Sequence, residues 1–200
     1  MSTPAQPVQA TTPLRELILD LRRMTSPSVP EERKVQEVKD RLVRLLGKPG
    51  WLPEACRVGD PGGYARHLVY REEGGGFCVV GMVWGPGQKT AIHDHAGVWC
   101  VEGVYEGQIE VTRFDPQGEV GDRVRFTPGP VICAGVGACG ALIPPVEYHQ
   151  IANRTEATAI SLHIYGRDLE VCHVFHPLGG DLYERELKRM HYHSVIPLTL

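Results

Sequence analysis

Residues 85–107 read GPGQKTAIHDHAGVWCVEGVYEG, and two histidines, His93 and His95, stand two positions apart in this stretch. The run after them alternates in polarity and ends at a glycine, which predicts strands separated by tight turns. Side chains at i and i+2 of a strand point to the same face, so both imidazoles would project together while Asp94 points away. That arrangement suits two ligands for one metal ion. A third ligand has to come from elsewhere in the chain.

Short segments rich in valine and isoleucine, separated by glycine clusters, continue on both sides of the histidines. Examples are YARHLVYREEGGGFCVVGMVWG at 64–85, RVRFTPGPVICAG at 123–135 and TAISLHIYGR at 158–167. Such segments are typical of β strands joined by turns, and we expect about eight to ten of them over roughly 110 residues. The pattern predicts a mainly β domain built as a small closed or two-sheet barrel. The sequence from Asp168 onward is harder to assign.

Apolar residues near the start of the chain recur instead at helical spacing. They are Leu14, Ile18, Leu21, Val35, Val38, Leu42 and Leu45. This periodicity predicts helices over 13–47, the second of which begins at Pro30 and ends at Gly47. We expect these helices to pack outside the barrel.

The length of 200 residues suits one domain with a core large enough for independent stability. We expect a disordered tail at 1–12 and a single domain at 13–200. Within that domain, the barrel core would span about 60–166.

Composition and charge indicate which class of partner and which cellular compartment to expect. A net charge of −3 with scattered basic residues gives no electrostatic footprint for nucleic acid, so a small molecule is the expected partner. The N-terminus lacks the pattern of a secretion signal, and nowhere do about 18 apolar residues run together to span a membrane. Six cysteines without a CxxC pair are expected to be free thiols in a reducing compartment, which favours the cytoplasm. The oligomeric state is left open.

His149 is the best candidate for the third ligand, because it follows the strand-like segment ALIPPVEY. Antiparallel pairing in a small barrel would bring it opposite the first two histidines. A second HxH motif, His191 and His193, lies near the C-terminus among basic residues, where we expect a solvated polar segment. His173 and His176 are expected to be packing or surface residues, although one of them could line the mouth of a pocket.

The spacing around the histidines resembles the first motif of the cupin superfamily, which has a glycine, five residues, HxH, a glutamate and a later glycine. Gly87, His93, His95 and Gly107 match it, while Cys100 stands at the position of the glutamate, which is the usual fourth metal ligand. The second cupin motif resembles the segment that contains Pro144, His149 and Asn153, with Val146 where a glycine is usual.

With the glutamate replaced, the resemblance narrows to the thiol dioxygenase branch and especially to the cysteine dioxygenase family. That family can place cysteine at this position, carries an S-x-H-x-Y motif downstream and has an arginine shortly after an upstream tyrosine. The matching residues here are Cys100, Ser161, His163, Tyr165, Tyr64 and Arg66. The resemblance covers about residues 60–166.

The resemblance implies a cupin-type jelly-roll barrel that holds Fe(II) on His93, His95 and His149. It implies that both atoms of dioxygen are inserted into the sulfur of L-cysteine to give cysteine sulfinate. Three neutral imidazoles leave the ferrous charge uncompensated and positions open, and such a site favours an anionic thiolate.

The resemblance also implies roles for the residues around the metal. Arg66, whose planar guanidinium suits bidentate binding of a carboxylate, would hold the carboxylate end of the substrate together with Tyr64. Tyr165 would lie beside the iron, could form a thioether with Cys100, and would be oriented by a relay through Ser161 and His163.

Alternatives remain open on the sequence. The metal segment also looks like 3-mercaptopropionate dioxygenase, a sister activity that usually has glutamine at the Arg66 position. After Tyr165 the chain reads GRD where animal cysteine dioxygenases have serine and proline, so the pocket loop can differ. A non-catalytic ligand-binding cupin and a zinc hydrolase, in which three histidines hold an activating metal, are two further hypotheses.

Overall fold

The computed structural model describes residues 7–145 and 147–200. Residues 1–6 of the expected tail and Val146 of the second cupin motif lie outside the described residues. The helices are α1 (Thr12–Met24) and α2 (Glu31–Leu46), followed by a short 3-10 turn at Glu54–Arg57. The strands are β1 (Val8–Gln9), β2 (Ala65–Arg71), β3 (Cys78–Trp84), β4 (Ile92–His93), β5 (Cys100–Glu106), β6 (Gln108–Val120), β7 (Arg123–Gly135), β8 (Cys139–Leu142), β9 (His149–Ala152), β10 (Ala159–Tyr165), β11 (Val171–Gly179), β12 (Leu182–Arg189), β13 (Ser194–Val195) and β14 (Leu198–Thr199).

The strands form two main groups that enclose the core of the barrel. One is a six-stranded sheet in the order β13-β2-β3-β10-β5-β8, and the other closes on itself in the order β11-β12-β7-β6-β9-β4. A small parallel pair joins β1 to β14. The mainly β architecture that the sequence predicts is therefore confirmed.

Both helices pack against the outer face of the six-stranded sheet, as the sequence predicts. Their apolar stripes are buried in one cluster with Val79, Val101 and Leu162 of that sheet. Gly103 of β5 allows the close approach, because a Cβ at this position would overlap the side chain of Leu46 on α2. No helix in the described part of the chain is both long and apolar enough to cross a membrane.

The barrel extends beyond the core at 60–166 that the sequence pattern indicates. β11 pairs with β4 and β12 pairs with β7, so the C-terminal segment completes the closed group of strands. The segment was hard to assign because most of β12 is exposed and polar, reading LYERELKR, and gives no alternation of buried residues. Its place is set by long-range pairing.

The expected disordered tail also differs from the structure over its described part. Val8 donates its backbone N–H to the carbonyl of Pro197 at 2.9 Å, and Ala10 donates to Thr199 at 2.8 Å. These bonds join residues almost 200 positions apart in the chain, so local sequence carries no signal for them.

Candidate metal centre and substrate pocket

Three imidazoles meet inside the barrel. His93 on β4 pairs directly with His149 on β9, and the Nε2 atoms of these residues are 3.1 Å apart. His95 lies two residues after β4, and its Nε2 is 3.2 Å from that of His149. We call His93, His95 and His149 the histidine triad; their ligand atoms form a cluster that could hold a metal ion.

The reason for this convergence differs in part from the one that the sequence suggests. β4 ends at His93, so His95 is placed by a turn and not by strand alternation. Asp94 is buried and does not simply point away: its Oδ1 accepts the backbone N–H groups of Ala96 and His173, at 3.1 and 2.8 Å. Glu147 accepts the backbone N–H of His95 at 2.9 Å, which fixes the same turn from the other side.

The protonation state of the triad suits metal binding. Burial lowers the pKa of His93 and holds the pKa values of His95 and His149 well below their usual range, so the rings are neutral. The Nδ1 of His93 donates to the Ala91 carbonyl at 3.2 Å, which leaves its Nε2 lone pair facing the other rings.

The separations between these nitrogens also fit a shared ion. Nitrogen ligands about 2.0–2.1 Å from a four-coordinate metal lie about 3.3 Å from one another, close to the distances in the triad. Converging lone pairs repel unless a cation lies between them. The residues present therefore fit the metal that the donor set implies.

Cys100 and Tyr165 are a direct cross-strand pair of β5 and β10, and both are buried. Burial raises the pKa of the Cys100 thiol and of the Tyr165 phenol well above their ordinary values. The Tyr165 ring stands perpendicular to the His95 ring, with centroids 5.5 Å apart. The tyrosine thus borders both the triad and the cysteine.

Ser161 and His163 form a buried polar chain on β10. Trp84 donates its indole N–H to the Ser161 hydroxyl at 2.9 Å, and this hydroxyl is 2.8 Å from Nε2 of His163. The rings of His163 and Tyr165 are stacked with centroids 6.0 Å apart, and no hydrogen bond joins them among the residues that the structure describes. Hydrogen-bond contact thus runs from Ser161 to His163, while His163 and Tyr165 meet only through their rings.

Arg66 on β2 is buried, with an exposed fraction of 2%. Its Nη1 donates to the His191 carbonyl at 3.1 Å, and its guanidinium lies 4.8 Å above the Tyr192 ring. Nε and Nη2, which share one edge of the guanidinium plane, have no partner in the described structure. A buried fork of this kind is the arrangement that binds a carboxylate through two parallel hydrogen bonds.

Two cavities lie near Arg66 and the triad. The one of about 400 Å³ is lined by Arg66, and the one of about 100 Å³ is lined by His93. The residues that line both are Tyr64, Lys89, Lys188 and Met190. Tyr64 stacks on Trp84 with ring centroids 4.8 Å apart, which fixes it beside both cavities.

A family model described as cysteine dioxygenase type I matches residues 54–177. The chain belongs to the cysteine dioxygenase type I family. The chain is 27% identical over 120 residues to cysteine dioxygenase type 1 of Rattus norvegicus, and the alignment covers 58% of each chain. It is 29% identical over 150 residues to the Danio rerio protein of the same name, covering 73% of this chain and 72% of that one.

Two solved structures are similar to part of this chain. One is a Klebsiella pneumoniae protein with a double-stranded β-helix domain (18% identity, TM-score 0.46, covering 59% of this chain and 89% of that one). Another is a Desulfovibrio desulfuricans RmlC-like cupin (23% identity, TM-score 0.43, covering 59% and 94%). The closed group of strands and the family match confirm the mainly β barrel that the sequence predicts.

Several pocket residues of this cysteine dioxygenase family member were not found by sequence reasoning. Glu102 is the most important: it is buried on β5, and its carboxylate lies beside the far nitrogens of His149 and His163. A signal was available, because Glu102 is at i+2 from Cys100 and shares its face.

His191 and His193 are exposed to solvent, as the sequence predicts, but they also border the cavity beside Arg66. His193 accepts the backbone N–H of Arg66 at 3.0 Å through Nδ1, and its Nε2 is 3.0 Å from Asp60. The parallel pairing of β13 with β2 draws this segment onto the barrel, and that pairing has no local signature.

The other two C-terminal histidines contact carboxylates. His173 is 2.8 Å from Asp94 through Nδ1, so it supports the turn between the metal ligands. His176 pairs with Glu186 on the exposed surface of the β11–β12 hairpin.

Proposed function

We propose that this protein is an iron-dependent thiol dioxygenase that converts L-cysteine and dioxygen into cysteine sulfinate. One observation carries the proposal: converging neutral imidazoles and a buried arginine with a free fork border two cavities that share four lining residues. A small molecule that carries both a thiol and an α-carboxylate offers one group to the metal site and the other to the arginine. Family membership supports the same reaction class.

The ligand set supports ferrous iron in particular. His93, His95 and His149 would hold the ion, and none of them carries negative charge. Bound Fe(II) would supply coordination positions for a thiolate, an amine and dioxygen, with both oxygen atoms ending on sulfur. Sulfur provides all the electrons that dioxygen accepts, so the reaction needs no further reductant.

Arg66 and Tyr64 would bind and orient the substrate. The free Nε and Nη2 of Arg66 would donate to the two carboxylate oxygens, and burial strengthens these charge-assisted bonds. Tyr64 lines both cavities, so its phenol would lie between the carboxylate and the metal. Apolar neighbours such as Cys172 and Val174 would limit water at the thiol end.

Tyr165 would orient substrate and oxygen beside the triad, and the stacked ring of His163 would support its position. Cys100 lies directly across the strand from Tyr165, and this cross-strand pairing supports a thioether between the two residues. Such a bond joins sulfur to a ring carbon with loss of two hydrogens, and dioxygen would be the oxidant. We propose that the crosslink forms during turnover.

The sister substrate 3-mercaptopropionate is the second candidate, because it lacks only the ammonium group. Asp60 is the one carboxylate among the described residues that line the two cavities, and it already contacts Gly62 and His193. Recognition of an ammonium group would therefore depend on the metal, which weakens the preference for cysteine. Arg66, in place of the usual glutamine, favours cysteine.

Three measurements on the protein loaded anaerobically with Fe(II) test the proposal: metal content, dioxygen uptake with each thiol, and product analysis. Iron with uptake and sulfinate supports it, and the ratio of kcat/KM values for cysteine and 3-mercaptopropionate decides the substrate. Zinc binding without uptake would support the hydrolase hypothesis. Failure to bind metal would support a non-catalytic binding module and overturn the proposal.

A further inference from the structure

Three buried polar atoms without hydrogen-bond partners meet between β5, β9 and β10. They are Oε2 of Glu102, Nδ1 of His149 and Nδ1 of His163. Oε1 of Glu102 is 3.6 Å from Nδ1 of His149, and Oε2 is 3.3 Å from Nδ1 of His163. We propose that Glu102 is a positioning residue: its carboxylate accepts the Nδ1–H groups of both imidazoles as hydrogen-bond donors and thereby orients a metal ligand and the polar chain together.

The direction of the hydrogen bonds at His163 follows from Trp84. An indole N–H can only donate, so the Ser161 hydroxyl accepts from Trp84. Nε2 of His163 is the one other hydrogen-bond partner of this hydroxyl in the described structure, so we assign it as the acceptor of the Ser161 proton. A neutral imidazole that accepts at Nε2 carries its proton on Nδ1. That proton points to Glu102, which is the directly opposed residue on β5.

The same reasoning applies to His149, and this step rests on the proposed metal centre. If Nε2 of His149 gives its lone pair to a metal, the proton of the neutral ring is on Nδ1. This N–H is completely buried, and Glu102 is the carboxylate beside it. A carboxylate at this position fixes the ring orientation and strengthens the metal bond, as outer partners of metal-bound histidines commonly do.

The position of Glu102 along β5 separates this role from metal ligation. Residue 100, where a cupin would carry its ligand glutamate, is occupied by Cys100. Glu102 lies one strand repeat further on the same face, and its carboxylate meets the far nitrogen of His149. Its other neighbour is a cavity of about 230 Å³, lined mainly by apolar residues, which also reaches His149.

Cys100, Glu102 and His163 are also close enough to be considered as a second metal site. The bond direction set by Trp84 argues against it, because His163 would present an N–H and not a lone pair at Nδ1. The arrangement is therefore better explained as a bridge between two imidazoles.

Titration with Co(II) of the whole protein and of Glu102→Gln and Glu102→Leu tests the inference without any turnover. Gln can accept one N–H and Leu none, so affinity is expected to fall in the order Glu, Gln, Leu, with a roughly 10- to 100-fold loss for Leu. Glu106→Gln, on the same strand but paired with Arg57 at the surface, is the matched control and should bind Co(II) like the parent. Equal affinity in all four proteins would overturn the inference.

Proton NMR of the zinc-loaded parent protein provides a second test that does not depend on any variant folding. Two slowly exchanging imidazole Nδ1–H signals, assigned to His149 and His163, are expected far downfield. A proton on Nε2 of His163 would overturn the inference even if metal binds. Failure of the parent to bind metal at all would instead overturn the proposed function, so the two failures are distinguishable.

Discussion

Arg66 provides the sharpest test of substrate binding, because its free fork predicts an effect confined to substrates with a carboxylate. Replacing Arg66 with Gln removes two charge-assisted hydrogen bonds, each worth about 1.5–3 kcal/mol. The amide of Gln recovers part of this, so we take a net loss of about 3–4 kcal/mol in transition-state binding. That corresponds to a roughly 10²- to 10³-fold decrease in kcat/KM for cysteine.

The assay is dioxygen uptake with cysteine and with cysteamine, which has the thiol and the amine but no carboxylate. Cysteamine kinetics should change by less than about threefold, because the lost bonds have no partner in that substrate. Arg71→Gln is the matched control on the same strand, since Arg71 pairs with Asp168 and is half exposed. An equal decrease in kcat/KM for cysteine and cysteamine would show that Arg66 acts by stabilising the fold. No decrease with either substrate would refute the contact between Arg66 and the carboxylate.

The remaining predictions concern the thioether, the helix–sheet contact and acid stability. After turnover, the intact mass should fall by two hydrogens in the parent protein but not in Cys100→Ser; an unchanged parent mass counts against the crosslink. Gly103→Val should lower the free energy of unfolding in urea by about 1–3 kcal/mol through overlap with Leu46. Gly135→Ala, with open space around it, should change it by less than about 0.5 kcal/mol, and equal effects would contradict the packing. Burial lowers the pKa values of the three histidines, so below about pH 6.5 the unfolded chain binds more protons than the metal-free folded protein. The free energy of unfolding of the metal-free protein should therefore decrease as the pH falls below about 6.5. His149→Phe should flatten that slope in pH-dependent unfolding, and an unaltered slope would contradict it.

The sequence could predict those features of the site that depend on local spacing and simple pairing. His149 was expected opposite the first HxH because antiparallel strands oppose residues directly, and β9 does oppose β4. Strand alternation predicts that His95 faces the same side as His93, and the two rings do meet. The cause is different, however, because a turn held by Asp94 and Glu147 positions His95. Local periodicity cannot distinguish a two-residue strand followed by a turn from a longer strand.

Features that depend on pairing between distant strands could not be predicted from local sequence patterns. β12 is largely polar and exposed, so its sequence lacks the alternation that identifies a half-buried strand. His193 reaches Arg66 only because β13 adds to the edge of the six-stranded sheet. Glu102 shares a strand face with Cys100, but a glutamate in a strand usually faces solvent, so the sequence pattern alone does not predict its burial between two imidazoles.

The most direct test of the central claim is mass spectrometry of the product formed from cysteine and isotopically labelled dioxygen by the Fe(II)-loaded protein. The account predicts cysteine sulfinate in which both sulfinate oxygens carry the label, because both come from one dioxygen molecule. Sulfinate with a single labelled oxygen, or consumption of dioxygen that yields only cystine, would contradict it.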